Sequence, residues 1–169
     1  ERNVIFAKTF GFETISEIAS SILKTAPEQF ILGGLSFGGI VALEIVRQSP
    51  EKINKLILMD TSHQAEPKYI SEKREHQILD VKKGNLKRVM FEEHIPNYLA
   101  DGSTTGSISD LCIKMALKLG AKVFIQQSRA LMSRIDQTAT LQNIEIPTML
   151  LCGKYDRLCN TRVHEKMHD

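Results

Sequence analysis

Seven residues, Gly33-Gly34-Leu35-Ser36-Phe37-Gly38-Gly39, join two apolar runs. Phe30-Ile31-Leu32 before them is short and continuous, as a buried strand is. Phe37 to Gln48 after them is apolar at Ile40, Val41, Ala42, Leu43, Ile45 and Val46, nearly all round, so a deeply packed helix is expected there. Ser49-Pro50 stops it. Three kinds of glycine-rich connection compete for this position. A dinucleotide fingerprint needs glycine first, third and sixth, and counting from Gly33 or Gly34 puts Leu35 or Ser36 third. A phosphate-binding P-loop needs Lys then Ser or Thr after its last glycine, where this chain has Ile40. Gly34-x-Ser36-x-Gly38 fits the third kind, a sharp strand-to-helix elbow that projects a serine hydroxyl from the end of a sheet. The crowding of that turn is expected to require glycine two residues before and two after the serine. The helix start behind it offers the Phe37 N–H as one donor to an oxyanion.

Strands and helices alternate around this elbow. Asn3 to Ala7 is expected as a short buried strand. Thr14-Ile15-Ser16-Glu17 is a capping box, opening a helix with Ile15, Ile18, Ala19, Ile22 and Leu23 on one stripe. Leu56 to Met59 reads as the next strand, ending at Asp60, and its unbroken apolar run suits a parallel sheet covered on both faces. Residues 66 to about 143 carry no strand pattern. Glu66–Lys83, Leu86–Leu99 with a break at Pro96, Ile108–Leu119 and Lys122–Ser133 read as helices, and Asp101–Ser107 as a loop. Pro147–Gly153 restores a strand, and a helix begins near Val163. The expected fold is α/β, a mostly parallel sheet with flanking helices. Its core is residues 1–65 and 144–169, with 66–143 inserted as a helical cap.

Charge and cysteines narrow the function classes. The net charge of +2, from 22 basic and 20 acidic side chains, gives no reason to expect nucleic acid or an anionic membrane as partner. Runs such as Thr148 to Cys152 are too short to span a bilayer. Cys112, Cys152 and Cys159 have no metal-binding spacing and suit reduced thiols in a cytoplasmic protein, Cys152 as inert strand core. Neither metal nor organic cofactor is implied.

From Phe30 to Ser62 the chain resembles the α/β-hydrolase superfamily, above all its small bacterial esterase-like members. The likeness rests on the elbow, on Arg47-Gln48-Ser49-Pro50-Glu51 after the helix and on Asp60-Thr61-Ser62 after the next strand. It extends over the whole chain, including the helical cap and Leu151-Cys152-Gly153-Lys154-Tyr155-Asp156. The resemblance implies that Ser36 is a nucleophile and that Asp156, at the family's Gly-x-x-Asp position, is the acid of a Ser-His-Asp triad. Asp60 is the alternative acid, with a loop cap for Thr61 and Ser62 as the favoured reading. Asp136 is expected to face solvent.

The family's histidine base follows one further strand. His164 and His168 lie 8 and 12 residues after Asp156, too early for a strand and a loop, and are expected on a helix surface. His76 and His94 fall in the cap, where His94 could meet substrate, and His63 reads as a loop residue. The resemblance therefore implies an internal fragment of a longer hydrolase. The base, the first strands and the second oxyanion donor would lie outside it, leaving a gap in the sheet and exposed strand edges. The expected activity is cleavage of a carboxylic ester or similar small acyl substrate through an acyl-enzyme. Thioesterase, lactonase or C–C hydrolase chemistry on the same machinery, or a non-catalytic ligand-binding relative, are the alternatives.

Overall fold

β1 (Phe30–Leu35), β2 (Ile53–Met59) and β3 (Thr148–Leu151) form a parallel sheet in the order β1-β2-β3, in a computed structural model that describes residues 3–98 and 106–168. The register runs Gly34 beside Leu58 and Leu58 beside Leu150, then Leu35 beside Met59 and Met59 beside Leu151. The three strands thus end level, and the chain leaves all of them at one edge.

One face of this sheet is covered by α1 (Ile15–Leu23) and α2 (Phe37–Gln48). Thr14 caps α1 as its spacing predicts, its Oγ1 accepting from the Glu17 N–H at 3.2 Å. Ile15, Ile18 and Ala19 meet Val41, Ala42, Ile45, Leu56 and Leu58 in one core. Burial of the α2 face is worth about 2 kcal/mol for each large aliphatic side chain. The opposite face departs from expectation: Ile31, Leu35, Met149 and Leu151, which alternate with the core-facing residues, are exposed.

Asn3–Ala7 is not a strand. Val4 and Ile5 are exposed, and Phe6 is 93% exposed. A strand persists only where its amides find a ladder partner, and no described residue pairs with the outer edge of β1. Instead the segment that follows lies along a later helix, where Gln127 Nε2 donates to the Thr9 carbonyl and Arg129 pairs with Glu13.

Between β2 and β3 the described chain is helical. A 3₁₀ turn at Pro50–Lys52 precedes β2, and after it come α3 (Lys68–Lys82), α4 (Leu86–Val89), α5 (Ile95–Tyr98), α6 (Ser107–Met132) and α7 (Thr138–Gln142). Pro96 does not break its helix, because the turn before it widens to a π turn at Met90–His94, making room for the ring. Gly120, at φ 84°, divides α6 where two helices were expected. Val81, Leu86, Val89 and Met90 pack with Phe124 and Ile125 into a second, smaller apolar cluster. Most of the Asp101–Ser107 loop lies outside the described residues. α8 (Thr161–His168) closes the chain against β3.

Candidate active site

Ser36 sits where β1 turns into α2, with φ 50° and ψ −114°, one of two non-glycine residues at positive φ among those described. Such a conformation costs about 1–3 kcal/mol and persists only when its surroundings hold it. They do so through the main chain. The Ser36 N–H donates to the Met59 carbonyl at 2.8 Å, and the Ser36 carbonyl accepts from the amides of Gly39 and Ile40 and from Thr61 Oγ1 at 2.8 Å. The side chain is left alone: Ser36 is exposed and its hydroxyl has no hydrogen-bond partner among the described residues. Among the described residues no backbone bond takes up the Phe37 N–H at the start of α2.

The glycines divide their work differently from the expected pattern. A Cβ on Gly34 would stand 2.3 Å from the Gly38 carbonyl oxygen, so glycine is obligatory there. A Cβ on Gly38 would meet nothing within 4 Å, whereas one on Gly39 would stand 2.5 Å from Thr61. The second sterically required glycine is therefore Gly39, because α2 packs there against Thr61, two residues after β2. We expect Gly34→Ala to cost about 3 kcal/mol or more, and Gly38→Ala to be neutral or stabilising by about 0.5 kcal/mol in its helical position. Urea-unfolding midpoints of the two variants check the contrast.

The two acid candidates stand at the same edge of the sheet. Asp156 follows β3 in a turn closed by its own N–H to the Gly153 carbonyl at 3.0 Å. Its Oδ1 accepts from the Leu158 and Cys159 amides at 2.7 and 2.8 Å, and its Oδ2 has no partner among the described residues. Asp60, at φ 42°, directly follows β2. It does not cap Thr61 or Ser62; its Oδ1 accepts from the Gly153 N–H at 2.7 Å, tying the end of β2 to the loop that carries Asp156. β1 and β3 flank β2, so Ser36 and the end of β3 stand two strand spacings apart, about 10 Å. That suits one imidazole bonded at both nitrogens between two side-chain oxygens.

Among the described residues, none of His63, His76, His94 and His164 bonds to Ser36 or Asp156. His164 is not on the helix surface as expected. It is buried with Met167 against the sheet edge, its Nε2 accepting from the Thr61 N–H at 3.4 Å and its Nδ1 3.2 Å from the Asn160 carbonyl. His63 follows β2 and is buried too; burial lowers its pKa, and its carbonyl accepts from the Gln137 N–H. His94 stacks edge-on against Phe124, its Nδ1 3.1 Å from Tyr98 Oη, and burial pushes its pKa down to about 4. His76 and His168 are exposed. The ends of the helical segment are pinned by Glu66, whose carboxylate pairs with both Arg74 and Arg134.

Thr61 and His164 are what the sequence reading missed. Thr61 is fully buried, and its signal was its place directly after the β2 aspartate. For His164 the signal was the spacing of Val163, His164 and Met167, one helical face. Cys152 lies just past β3, at intermediate exposure, rather than inside a strand; all three cysteines are free. No helix among the described residues is long and apolar enough to cross a membrane.

The family described as serine aminopeptidase, S33 matches residues 12–169. A pimeloyl-(acyl-carrier protein) methyl ester esterase of Hamiltonella defensa is 26% identical over 170 residues, covering 92% of this chain and 62% of that protein. A thermophilic esterase from Thermogutta terrifontis superposes with a TM-score of 0.82 at 24% identity, over 94% of this chain and 60% of the other. A hydrolase from Pseudomonas aeruginosa gives 0.79 at 21% identity, again over 94% and 60%. These likenesses place the fold among the α/β-hydrolases, and the chain spans about three-fifths of the length of these relatives.

Proposed function

We propose that this chain, which belongs to the serine aminopeptidase S33 family of α/β-hydrolases, carries the nucleophile and the acid of a carboxylic ester hydrolase. One observation carries the reading: Ser36 is held at positive φ by four main-chain and side-chain bonds while its own hydroxyl is left unbonded and exposed. Strain maintained around a free hydroxyl is what a nucleophile requires and what a capping serine does not. The methyl ester esterase named above supports an ester as the substrate class.

In this mechanism Ser36 Oγ attacks the ester carbonyl as a histidine takes its proton. The Phe37 N–H, at the start of α2, donates to the oxyanion. The same histidine returns the proton to the leaving alcohol, and water then cleaves the acyl-serine by the reverse sequence of transfers. Asp156 orients the histidine through its free Oδ2, its Oδ1 being committed to the Leu158 and Cys159 amides. The base is none of His63, His76, His94 and His164, which bond to neither residue among those described. Residues 66–143 act as a cap over the strand ends and shape substrate choice. The small-molecule acyl substrate needs no metal or organic cofactor in this chemistry.

A fluorophosphonate probe tests the assignment. The full-length protein is expected to be modified at one residue, and peptide mass mapping should place the adduct on Ser36. An adduct elsewhere, or none, overturns the reading.

A further inference from the structure

The elbow is braced from the neighbouring strand, and we propose that Thr61 is the positioning residue that holds Ser36 in its reactive conformation, with His164 holding Thr61. This deepens the reading of Ser36 as nucleophile and rests on it. Neither residue touches substrate.

Three contacts converge on Thr61, which is fully buried. Its hydroxyl donates to the Ser36 carbonyl at 2.8 Å and is the one side chain among the described residues that bonds to the elbow. Its Cβ, Oγ1 and Cγ2 fill the space that the absent side chain of Gly39 leaves open, so α2 seats directly on it. Its N–H donates to His164 Nε2 at 3.4 Å. The tautomer of His164 follows from its partners. A main-chain N–H only donates and a carbonyl only accepts, so Nδ1 carries the proton toward the Asn160 carbonyl and Nε2 is bare toward Thr61. His164 is thereby committed at both nitrogens, which accounts for a buried histidine at this edge of the sheet better than a catalytic role does.

The brace also reaches the acid. Asp60, immediately before Thr61, receives the Gly153 N–H, and its own N–H donates to the Leu151 carbonyl at 2.9 Å. The Asp60-Thr61 pair therefore touches the nucleophile's turn with one residue and the Asp156 loop with the other. Removing the Thr61 hydroxyl would leave the Ser36 carbonyl with only the two amides of its own helix. Nothing from β2 would then oppose relaxation of the strained φ except the Ser36 N–H bond to Met59. A small displacement of a nucleophile is enough to cost one to two orders of magnitude in rate.

The test compares Thr61→Ser, Thr61→Cys and Thr61→Val in the full-length protein. Readouts are the second-order rate of Ser36 labelling by a fluorophosphonate and the kcat and KM for a p-nitrophenyl ester. Serine keeps the donor, and labelling should stay within about threefold of the parent; valine keeps the shape and loses the donor, and should slow about 10- to 100-fold. Cysteine, a weak donor, should fall between them, and it carries the comparison if the valine variant does not fold. The loss should appear in kcat, with KM changed less than about twofold, because no substrate contact is removed. Valine labelling at the parent rate, or serine as slow as valine, overturns the brace while leaving Ser36 as nucleophile. Labelling that is unaffected by Ser36→Ala in the parent overturns the nucleophile instead.

Discussion

Replacing Ser36 by alanine is expected to lower hydrolysis of short p-nitrophenyl esters by roughly 10⁴-fold or more, while the protein stays folded. The second half of this expectation is as informative as the first. The Ser36 hydroxyl makes no hydrogen bond among the described residues, so its removal orphans no buried partner. Every bond that shapes the elbow runs through the Ser36 main chain, which alanine keeps. The stability change should lie within about 0.5 kcal/mol, as for surface substitutions away from such features. Ser36→Gly sharpens the argument. Glycine adopts φ 50° without a Cβ penalty, so this variant should be equally inactive and yet no less stable than the parent, by up to about 1 kcal/mol the more stable of the two. Thermal melts beside the ester assay read both quantities. A parent that outlasts both variants in the melt would mean that the serine side chain serves the fold. Activity surviving in either would remove it from the mechanism.

The elbow was legible because two kinds of local signal agree there. Glycine and serine at fixed spacing mark the turn, and the apolar runs on either side mark a strand and a helix; the observed bounds Phe30–Leu35 and Phe37–Gln48 follow them closely. Where the reading failed, the deciding partner lay elsewhere in the chain. Asn3–Ala7 has strand composition, but composition supplies no ladder, and Phe6 ends in solvent. The pentapeptide pattern placed the second obligatory glycine at Gly38. The steric requirement falls on Gly39 because Thr61, a residue of the next βα connection, packs against it. His164 is expected on a helix surface because it follows Asp156 by only 8 residues, too few for a further strand and loop. Its face of the helix, shared with Met167, is set by where α8 lies on β3. In each case the local pattern names the residue types correctly, and a contact distant in sequence decides what they do.

The same distinction bears on the acid, where the second large effect is expected. Asp156→Asn should reduce ester hydrolysis by roughly 10³- to 10⁴-fold, and Asp60→Asn by less than about tenfold. The two substitutions are alike in chemistry and differ only in what each oxygen is doing. Asparagine at 156 retains an oxygen that can accept from the Leu158 and Cys159 amides, so the loop keeps its shape. What it loses is the negative charge at Oδ2, the atom left free to orient and stabilise an imidazolium. Asparagine at 60 likewise retains an acceptor for the Gly153 N–H, and there the acceptor is the whole role. Alanine separates the roles further. Asp60→Ala would leave the Gly153 amide unpaired and should cost about 1 kcal/mol of stability along with part of the activity, since the loop carrying Asp156 loses its tie to β2. Asp156→Ala removes both the charge and the two amide bonds, and should be both inactive and less stable. Steady-state kinetics with denaturation curves for all four variants give a pattern that neither residue's importance alone could produce. If asparagine at 60 is the more damaging of the pair, the acid belongs at the end of β2, and the Asp156 carboxylate serves only its own turn.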